Sequence, residues 1–373
     1  MADRMEPKMT YSTNWEHVVR RADQLMQRLQ VFLAGQPVRF ALMPSHETNS
    51  LDYFSPGRDA DLQRFFGEGP IRYVPPARVD SADVVILTAH GSDLSVPIWN
   101  LRRKLPQEAI IAVWFWDNHL AQLPNLKTAL AADVLFPSHA YIAHYLFNPV
   151  SVVAGSSAAC SAQWTADEAR EIIASCAGTA RIHKALVNYV DYEFSWRSAL
   201  LRELAASCGN AHVLLMPAQD RSRYFRKTRR ERLLEWLRYK ATVIVPVDKD
   251  LSTRVFDALL AGQIPVVPSI IRDFDRVIPP QVQRELGIVR VDDLVLSTIR
   301  PAIDEALRRF DEMGTEGVER RQQFALRKHM LPNRMAEMMN TLALVARQEV
   351  IVPDVRNPGF GLYLADKSAD SRP

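Results

Sequence analysis

Short apolar runs alternate with helical stretches along the first part of the chain. The runs VRFALM, DVVILT, IIAVWFW and DVLFP are almost continuously hydrophobic, which is typical of parallel strands buried on both faces. Between them, residues 97–104, 125–131 and 139–147 carry apolar positions at helical spacing. The pattern predicts an α/β domain over residues 1–155.

A second series of the same kind follows a stretch of different composition. Residues 156–180 are rich in small side chains, and Thr165 with Glu168 marks the start of one short helix as a capping box. The alternation resumes with ALVNYV, HVLLMP, ATVIVPV and IPVVP. We therefore interpret residues 156–180 as a linker and predict a second domain over residues 181–325.

The end of the chain differs from both domains. Residues 326–350 read as a helix, and residues 351–373 as a polar tail. The predicted fold class is α/β, with two Rossmann-like, doubly wound domains facing each other across a cleft. The last helix is expected to pack back on the first domain.

Composition narrows the classes of function. Hydrophobic residues make up 47% of the 373 residues and charged residues 24%, as in soluble globular proteins. A net charge of +3 is too small to indicate nucleic-acid or membrane binding by bulk electrostatics. The N-terminus lacks the apolar region of a signal peptide, and the run AIIAVWFW is much shorter than the roughly 20 residues of a membrane span. We expect a cytoplasmic protein; a membrane-borne substrate and a homodimer stay open.

The cysteine and histidine content adds no metal or redox motif. The three cysteines form no CxxC pair, and their number fits a reducing compartment. Histidine and cysteine do not show zinc-ligand spacing. The sequence also lacks a nucleophilic serine elbow and a Cys–His signature.

The stretch DKDLSTRVFDALLAGQIPVVPS combines packing with chemistry. Ser252 is a suitable N-cap for a helix that ends at Gly262. Arg254 and Asp257 are three residues apart, so they share one face near the start of this helix. Such an arrangement is also compatible with an ordinary ion pair on a solvated face, worth roughly 0.2–0.5 kcal/mol.

The functional interpretation starts from the position of this helix. A helix N-terminus at the carboxyl end of a parallel strand is a ready anion site. The hydroxyls of Ser252 and Thr253 and the guanidinium of Arg254 are then predicted to hold a diphosphate. The carboxylate of Asp257 is predicted to accept hydrogen bonds from a ribose diol.

This stretch resembles the nucleotide-sugar signature of the second domain of GT-B glycosyltransferases, and it is most similar to the exostosin-like and related bacterial branches. A Ser-x-Arg precedes an acidic residue, and a Gly-x-x-Pro-Val-Val strand follows. The resemblance covers about residues 185–300. It implies a GDP- or UDP-sugar donor, with phosphate contacts at Ser252 and Arg254 and a ribose contact at Asp257.

The sequence departs from the E-x7-E pattern of many family members. The position of the first acid is Lys249, between Asp248 and Asp250. Asp250 is kept as a candidate donor contact. The same DKD resembles the metal-binding D-x-D of the other common glycosyltransferase fold, but two βα series in a row fit GT-B better. The GT-B resemblance implies no metal and no cofactor, because helix dipole and basic side chains stabilise the leaving diphosphate.

The densest basic segment spans residues 221–240. Arg223 and Lys240 are candidate contacts for the donor diphosphate, and Tyr192 and Arg197 are candidates for base or sugar contacts. The segment is also compatible with a solvated helix face. A third interpretation is a nucleic-acid patch with aromatic stacking, which the low net charge and the lack of an RNA-binding motif disfavour.

Four of the nine histidines follow strand ends, in PSHETN, TAHGSD, DNH and PSHAY. The carboxyl ends of parallel strands share one rim of the sheet, so these loops are candidates for the general base of an inverting transfer. The Asp117 and His119 loop is the first candidate, followed by His90 and Asp93. A retaining transfer needs no base there, and polar loops are common without any such role.

Three functions follow from these observations. The first is a nucleotide-sugar-dependent glycosyltransferase. The second is a nucleotide-sugar pyranose–furanose mutase on the same scaffold. The third, from another class, is a nucleic-acid-binding module, whose affinity would fall linearly with the logarithm of salt concentration.

Overall fold

The computed structural model describes residues 23–44, 53–116, 121–146, 148, 151–155, 157–192, 195–220, 226–271, 273–351 and 363–364. The statements below concern these residues. No helix among them is long and apolar enough to cross a membrane.

The first domain is a parallel sheet with helices on both faces. Its strands are β1 (Val38–Pro44), β2 (Ile71–Tyr73), β3 (Val84–Ala89), β4 (Ile110–Phe115), β5 (Val134–Pro137) and β6 (Val152–Val153), in the order β2-β1-β3-β4-β5-β6. Its helices are α1 (residues 23–29), α2 (Arg58–Phe66), α3 (Ser95–Arg102), α4 (Gln122–Ala131) and α5 (Ala143–Leu146), with 3-10 turns at Gln30–Leu33, Pro76–Ser81 and Ala140–Ile142. The four predicted strands of this half are confirmed.

The pattern of apolar residues did not predict α2 and β2. Helix α2 is largely polar and buries only Asp61 and Leu62, so it has no apolar stripe to read. Strand β2 has three residues at the edge of the sheet, which is too short to alternate.

The second domain repeats the plan with five parallel strands. They are β7 (Ile182–Asp191), β8 (Ala211–Pro217), β9 (Tyr239–Val243), β10 (Ile264–Pro268) and β11 (Val289–Val291), in the order β11-β10-β9-β7-β8. The helices are α6 (Ala166–Ala174), α7 (Trp196–Ser207), α8 (Arg229–Leu237), α9 (Thr253–Leu260), α10 (Asp273–Val277), α11 (Pro280–Glu285) and α12 (Leu296–Lys328), with a 3-10 turn at Ala218–Asp220. From β7 the chain first adds β8 on one side and then crosses back to add β9 on the other side. The point at which the strand order reverses therefore lies between β7 and β9.

Helix caps are set by local sequence, as expected. The predicted capping box is present at Thr165 for α6, and a second capping box lies at Thr228 for α8. Helix α9 begins after Ser252, whose side chain accepts a hydrogen bond from the Arg254 amide. It ends before Gly262, whose φ of 73° lies in the left-handed region that favours glycine.

The last long helix, α13 (Leu331–Ala346), returns to the first domain, followed by the short pair β12 (Val350–Ile351) and β13 (Tyr363–Leu364). Met335, Met338 and Leu342 of α13 belong to the same buried cluster as Phe40 and Trp114 of the first sheet. Helix α13 therefore packs against the first domain.

The break between α12 and α13 comes just before Pro332. The backbone leaves the helix at His329, and Pro332 lies in the first turn of α13, where a missing amide hydrogen costs no helical bond. Here the chain crosses beside the linker: Ser161 N donates to His329 O at 3.0 Å, and Ser161 pairs with Met330 in a parallel bridge. The two passages between the domains thus run side by side.

Candidate functional site

The carboxyl ends of β7 and β9 form the switch point of the second sheet, which is where ligands bind in open α/β sheets. Tyr189 of β7 joins the two strand ends. Its hydroxyl donates to Val243 O at 3.0 Å and accepts from Val245 N at 2.8 Å. The ring is therefore fixed in the floor of the crevice, and it is 3% exposed.

Two arginines lie on the ring of Tyr189. The guanidinium carbon of Arg254, from the first turn of α9, is 4.3 Å from the ring centroid, and that of Arg197, from the first turn of α7, is 5.2 Å away. Neither forms an ion pair with a carboxylate in the described part of the chain. Among the described residues, the switch point thus holds two guanidinium groups without a carboxylate at ion-pair distance, although the Arg254 charge also acts on the buried Asp257.

Arg197 is held by few hydrogen bonds for a buried cation. It is 7% exposed, its guanidinium donates to Val190 O at 3.3 Å, and its Nε is buried without a hydrogen-bond partner. Burial lowers the pKa of Arg197, and the neighbouring charge of Arg254 acts in the same direction. A ligand anion would supply what this group lacks.

Ser252 and Thr253 lie beside this pair, as predicted. Ser252 Oγ accepts from Arg254 N at 3.3 Å, and Thr253 is the first residue of α9. Tyr192 is exposed at the same edge, with its ring 5.1 Å from the guanidinium carbon of Arg197. The structure therefore brings together five predicted donor contacts, from two separate βα loops: Tyr192, Arg197, Ser252, Thr253 and Arg254.

Asp257 does not present free oxygens to the crevice, and its assignment to a ribose diol is not supported by this geometry. The side chain is 2% exposed, and its two oxygens accept from Ser161 Oγ at 2.5 Å and from Gln163 Nε2 at 3.2 Å. Burial raises its pKa to about 6, against the opposing effects of these hydrogen bonds and of the Arg254 charge. Asp257 therefore anchors α9 to the linker.

Asp250 is likewise engaged, here with the first domain. Its carboxylate accepts from the Tyr141 hydroxyl and lies 3.4 Å from His139 Nε2. Asp273 of α10 accepts from Ala140 N at 2.7 Å in the same place. These contacts join the loop after β5 to the loops after β9 and β10, so Asp250 is an interdomain contact and not an open donor contact.

Lys240 was predicted to reach the donor, and the structure places it elsewhere. It is the second residue of β9, at the amino edge of the sheet, and its ammonium donates to Asp311 at 2.5 Å. The helix start at Ser252 lies at the opposite, carboxyl edge. Arg223 lies outside the described residues, so its predicted role is not tested.

The candidate bases of the first domain have different outcomes. Asp117 and His119 lie outside the described residues. The ring centroids of His90 and Trp116 are 5.2 Å apart. Burial lowers the pKa of His90 to about 4, which is too low for an effective general base near neutral pH.

Asp93 is committed to local structure. Its Oδ1 accepts from Ser95 N at 2.9 Å, and Lys127 Nζ lies 3.6 Å away. Partial burial acts to raise the pKa of Asp93, but the bonds from Ser95 and the Lys127 charge outweigh it, so the pKa is lowered. Its position at the start of α3 explains these bonds.

Sequence reasoning missed Tyr189, which links the two arginines. Within the run ALVNYV it has the appearance of one more core residue, and no local signal shows that β9 lies beside β7.

No family model matches this chain, and no curated protein matches it. Solved structures with a similar architecture include an α,α-trehalose-phosphate synthase (UDP-forming) from Burkholderia vietnamiensis, at 12% identity and a TM-score of 0.44 over 71% of this chain and 72% of that one. An α,α-trehalose 6-phosphate synthase from Burkholderia multivorans has 11% identity and a TM-score of 0.46 over 84% and 99%. The catalytic domain of starch synthase IV from Arabidopsis thaliana has 9% identity and a TM-score of 0.42 over 71% and 73%. With two doubly wound parallel sheets and a final helix that returns to the first, this chain has the GT-B architecture.

Proposed function

We propose that this protein is a nucleotide-sugar-dependent glycosyltransferase that binds the donor diphosphate between Arg197 and Arg254. The observation that carries the proposal is the pair of arginines on Tyr189 at the switch point of the second sheet, neither of which has an ion-pair partner among the described residues. A donor with a diphosphate matches this charge. The resemblance of the Ser252 segment to the nucleotide-sugar signature supports the same choice.

The electrostatics favour an anion with more than one negative charge. The two guanidinium groups over one ring repel each other, and an anion bound between them would attract both. The N-terminus of α9 adds the positive end of its dipole and its free amides. These groups would also stabilise the diphosphate as it leaves the sugar, which is the charge that develops in the transition state.

The acceptor side is assigned to the first domain, whose strand ends face the same cleft. We keep the Asp117 and His119 loop as the proposed source of a general base for an inverting transfer. His90 is proposed instead as part of the aromatic wall that Phe54 and Trp116 form with it.

Isothermal titration with GDP, UDP and inorganic pyrophosphate tests the donor site. Arg254→Ala should weaken diphosphate binding by about 1.5–3 kcal/mol, the range for a hydrogen bond to a charged group. Arg202→Ala is the matched control, because Arg202 lies on the neighbouring α7 but is paired with Asp191. A folded Arg254→Ala protein that binds both nucleotides as tightly as wild type would refute the assignment.

A mutase is the second candidate, and one observation favours it. Lys249 occupies the position where the related pattern has an acid toward the sugar, so the sugar contacts of this chain differ from those of the transferases it resembles. Incubation with a GDP- or UDP-sugar and no acceptor separates the two reactions. An isomerised nucleotide sugar indicates a mutase, whereas diphosphate release that depends on an acceptor indicates a transferase.

A further inference from the structure

The outer faces of α3 and α4 are apolar although they point to solvent. Val96 and Trp99 of α3 are 65% and 58% exposed, and Leu123 of α4 is 63% exposed. Leu126 and Leu130 of α4 are exposed as well. We call these five side chains the α3–α4 surface. Contiguous apolar groups of this kind mark interaction sites in soluble proteins.

Spacing places these side chains in two stripes directed away from the sheet. On α3, Val96 and Trp99 are three residues apart, and on α4 the three leucines follow at steps of three and four, so each set shares one helix face. The opposite face of α4 buries Asn125, Thr128 and Ala129. The large apolar side chains of α4 therefore lie on its outer face, whereas an ordinary surface helix has them on its inner face.

The two helices that carry the stripes lie next to each other. Ile98 and Leu101 of α3 and Ala129 of α4 belong to one buried cluster on the same face of the first sheet. Thr128 Oγ1 accepts from Leu94 N at 2.8 Å, which ties the start of α3 to α4. Together the helices present one apolar strip about two helices wide.

The charged side chains of α3 and α4 indicate which kind of partner this surface fits. Residues 95–104 and 122–131 contain Arg102, Arg103, Lys104 and Lys127 but no Asp or Glu. Arg102 is paired with Asp133, and Lys127 lies 3.6 Å from Asp93, so Arg103 and Lys104 are the cations that this surface offers to a partner. The guanidinium carbon of Arg103 lies 3.5 Å from the centroid of the Trp99 ring, so a cation borders the apolar strip directly. Exposed leucine and tryptophan with flanking basic residues are the composition of surfaces that lie in a membrane interface.

We propose that the α3–α4 surface docks this protein on an anionic phospholipid bilayer. The apolar strip would enter the boundary between headgroups and acyl chains, and Arg103 and Lys104 would meet lipid phosphates. A second copy of the chain is a poorer partner, because a two-fold contact sets the same basic residues against each other. Helices α3 and α4 both begin at the carboxyl edge of the first sheet, so docking would hold the cleft mouth near a membrane-borne acceptor; only this last step rests on the proposed function.

Flotation with phosphatidylcholine vesicles, with and without phosphatidylglycerol, tests the docking surface. The full-length protein should float with the anionic vesicles and not with the neutral ones, and added salt should release it. The double variant Trp99→Ser/Leu123→Ser should bind the anionic vesicles at least about tenfold more weakly, and so should Arg103→Glu/Lys104→Glu. Phe65→Ser is the matched control, since Phe65 is 50% exposed on α2, away from the strip.

The outcomes separate docking from catalysis. Circular dichroism should show that each variant is folded, and Arg254→Ala should float like wild type. Equal binding of wild type and both double variants to anionic vesicles would overturn the proposal. So would a concentration-dependent dimer, seen by light scattering, that Trp99→Ser/Leu123→Ser abolishes while no form of the protein floats.

Discussion

The buried carboxyl of Asp257 gives a prediction about stability and pH. Its pKa is raised from an ordinary value of 3.8 to about 6, first by burial. An acid that holds its proton more tightly in the folded state than in the unfolded state raises the free energy of unfolding at low pH. The stabilising effect is complete below pH 3.8 and is lost as the pH rises through about 6.

The magnitude follows from the two values. Each pH unit between them is worth about 1.4 kcal/mol, so the fold is about 3 kcal/mol more stable with the carboxyl protonated, well below pH 3.8, than with it ionised at pH 7. The group is fully buried, with Ser161 and Gln163 on its oxygens, so solvent screens little of this effect. In Asp257→Asn this contribution to the pH dependence disappears.

Urea denaturation of wild type and Asp257→Asn between pH 4 and pH 7 measures the effect. The difference in unfolding free energy between the two proteins should change by about 2 kcal/mol across this range, because at pH 4 the unfolded carboxyl is already partly ionised. Asp257→Asn should become more stable relative to wild type as the pH rises. Any constant loss from altered hydrogen bonds cancels in this comparison. Asp304→Asn, at an exposed position of α12, controls for the substitution itself. If the unfolding free energies of wild type and Asp257→Asn change with pH in parallel, the reasoning is refuted.

Two further substitutions test local structure. Gly262→Ala should destabilise the protein by roughly 1–3 kcal/mol in urea denaturation, because φ is 73° and a Cβ would lie 2.7 Å from Val318 Cγ1. Gly178→Ala, where φ is 78° and the space around a Cβ is open, should cost less. Equal losses of stability would contradict the packing argument. Thr165→Ala should remove the capping box of α6 and about 1 kcal/mol of stability, and Thr165→Ser should restore most of it; a thermal midpoint unchanged in Thr165→Ala would show that the cap is dispensable.

Local signals allowed much of the fold to be predicted. Caps at Thr165 and Ser252 and the turn at Gly262 depend on neighbours within a few residues, and all three lie where the sequence places them. The nearly continuous apolar strands likewise show their burial directly. Arg254 was found at the switch point because its position follows from the start of α9 alone.

Contacts between distant residues could not be predicted. Asp257 accepts from a residue 96 positions away, and Asp250 from one 109 positions away; nothing near either acid announces these partners. Tyr189 gains its role only because β9 lies beside β7. The misplacement of Lys240 has another cause: it precedes the apolar run of its strand, and a parallel strand separates its two ends by its whole length.

The paired passages at Ser161 and Met330 have a mechanical consequence. Two adjacent covalent connections resist twisting and sliding of one lobe against the other, and the motion that deforms them least is a rotation about the line on which they cross. Opening of the interlobe space is then close to a single coordinate. A stiffening change at this axis, such as a disulfide, should slow both the entry of a ligand into the interlobe space and its departure, while leaving each lobe intact.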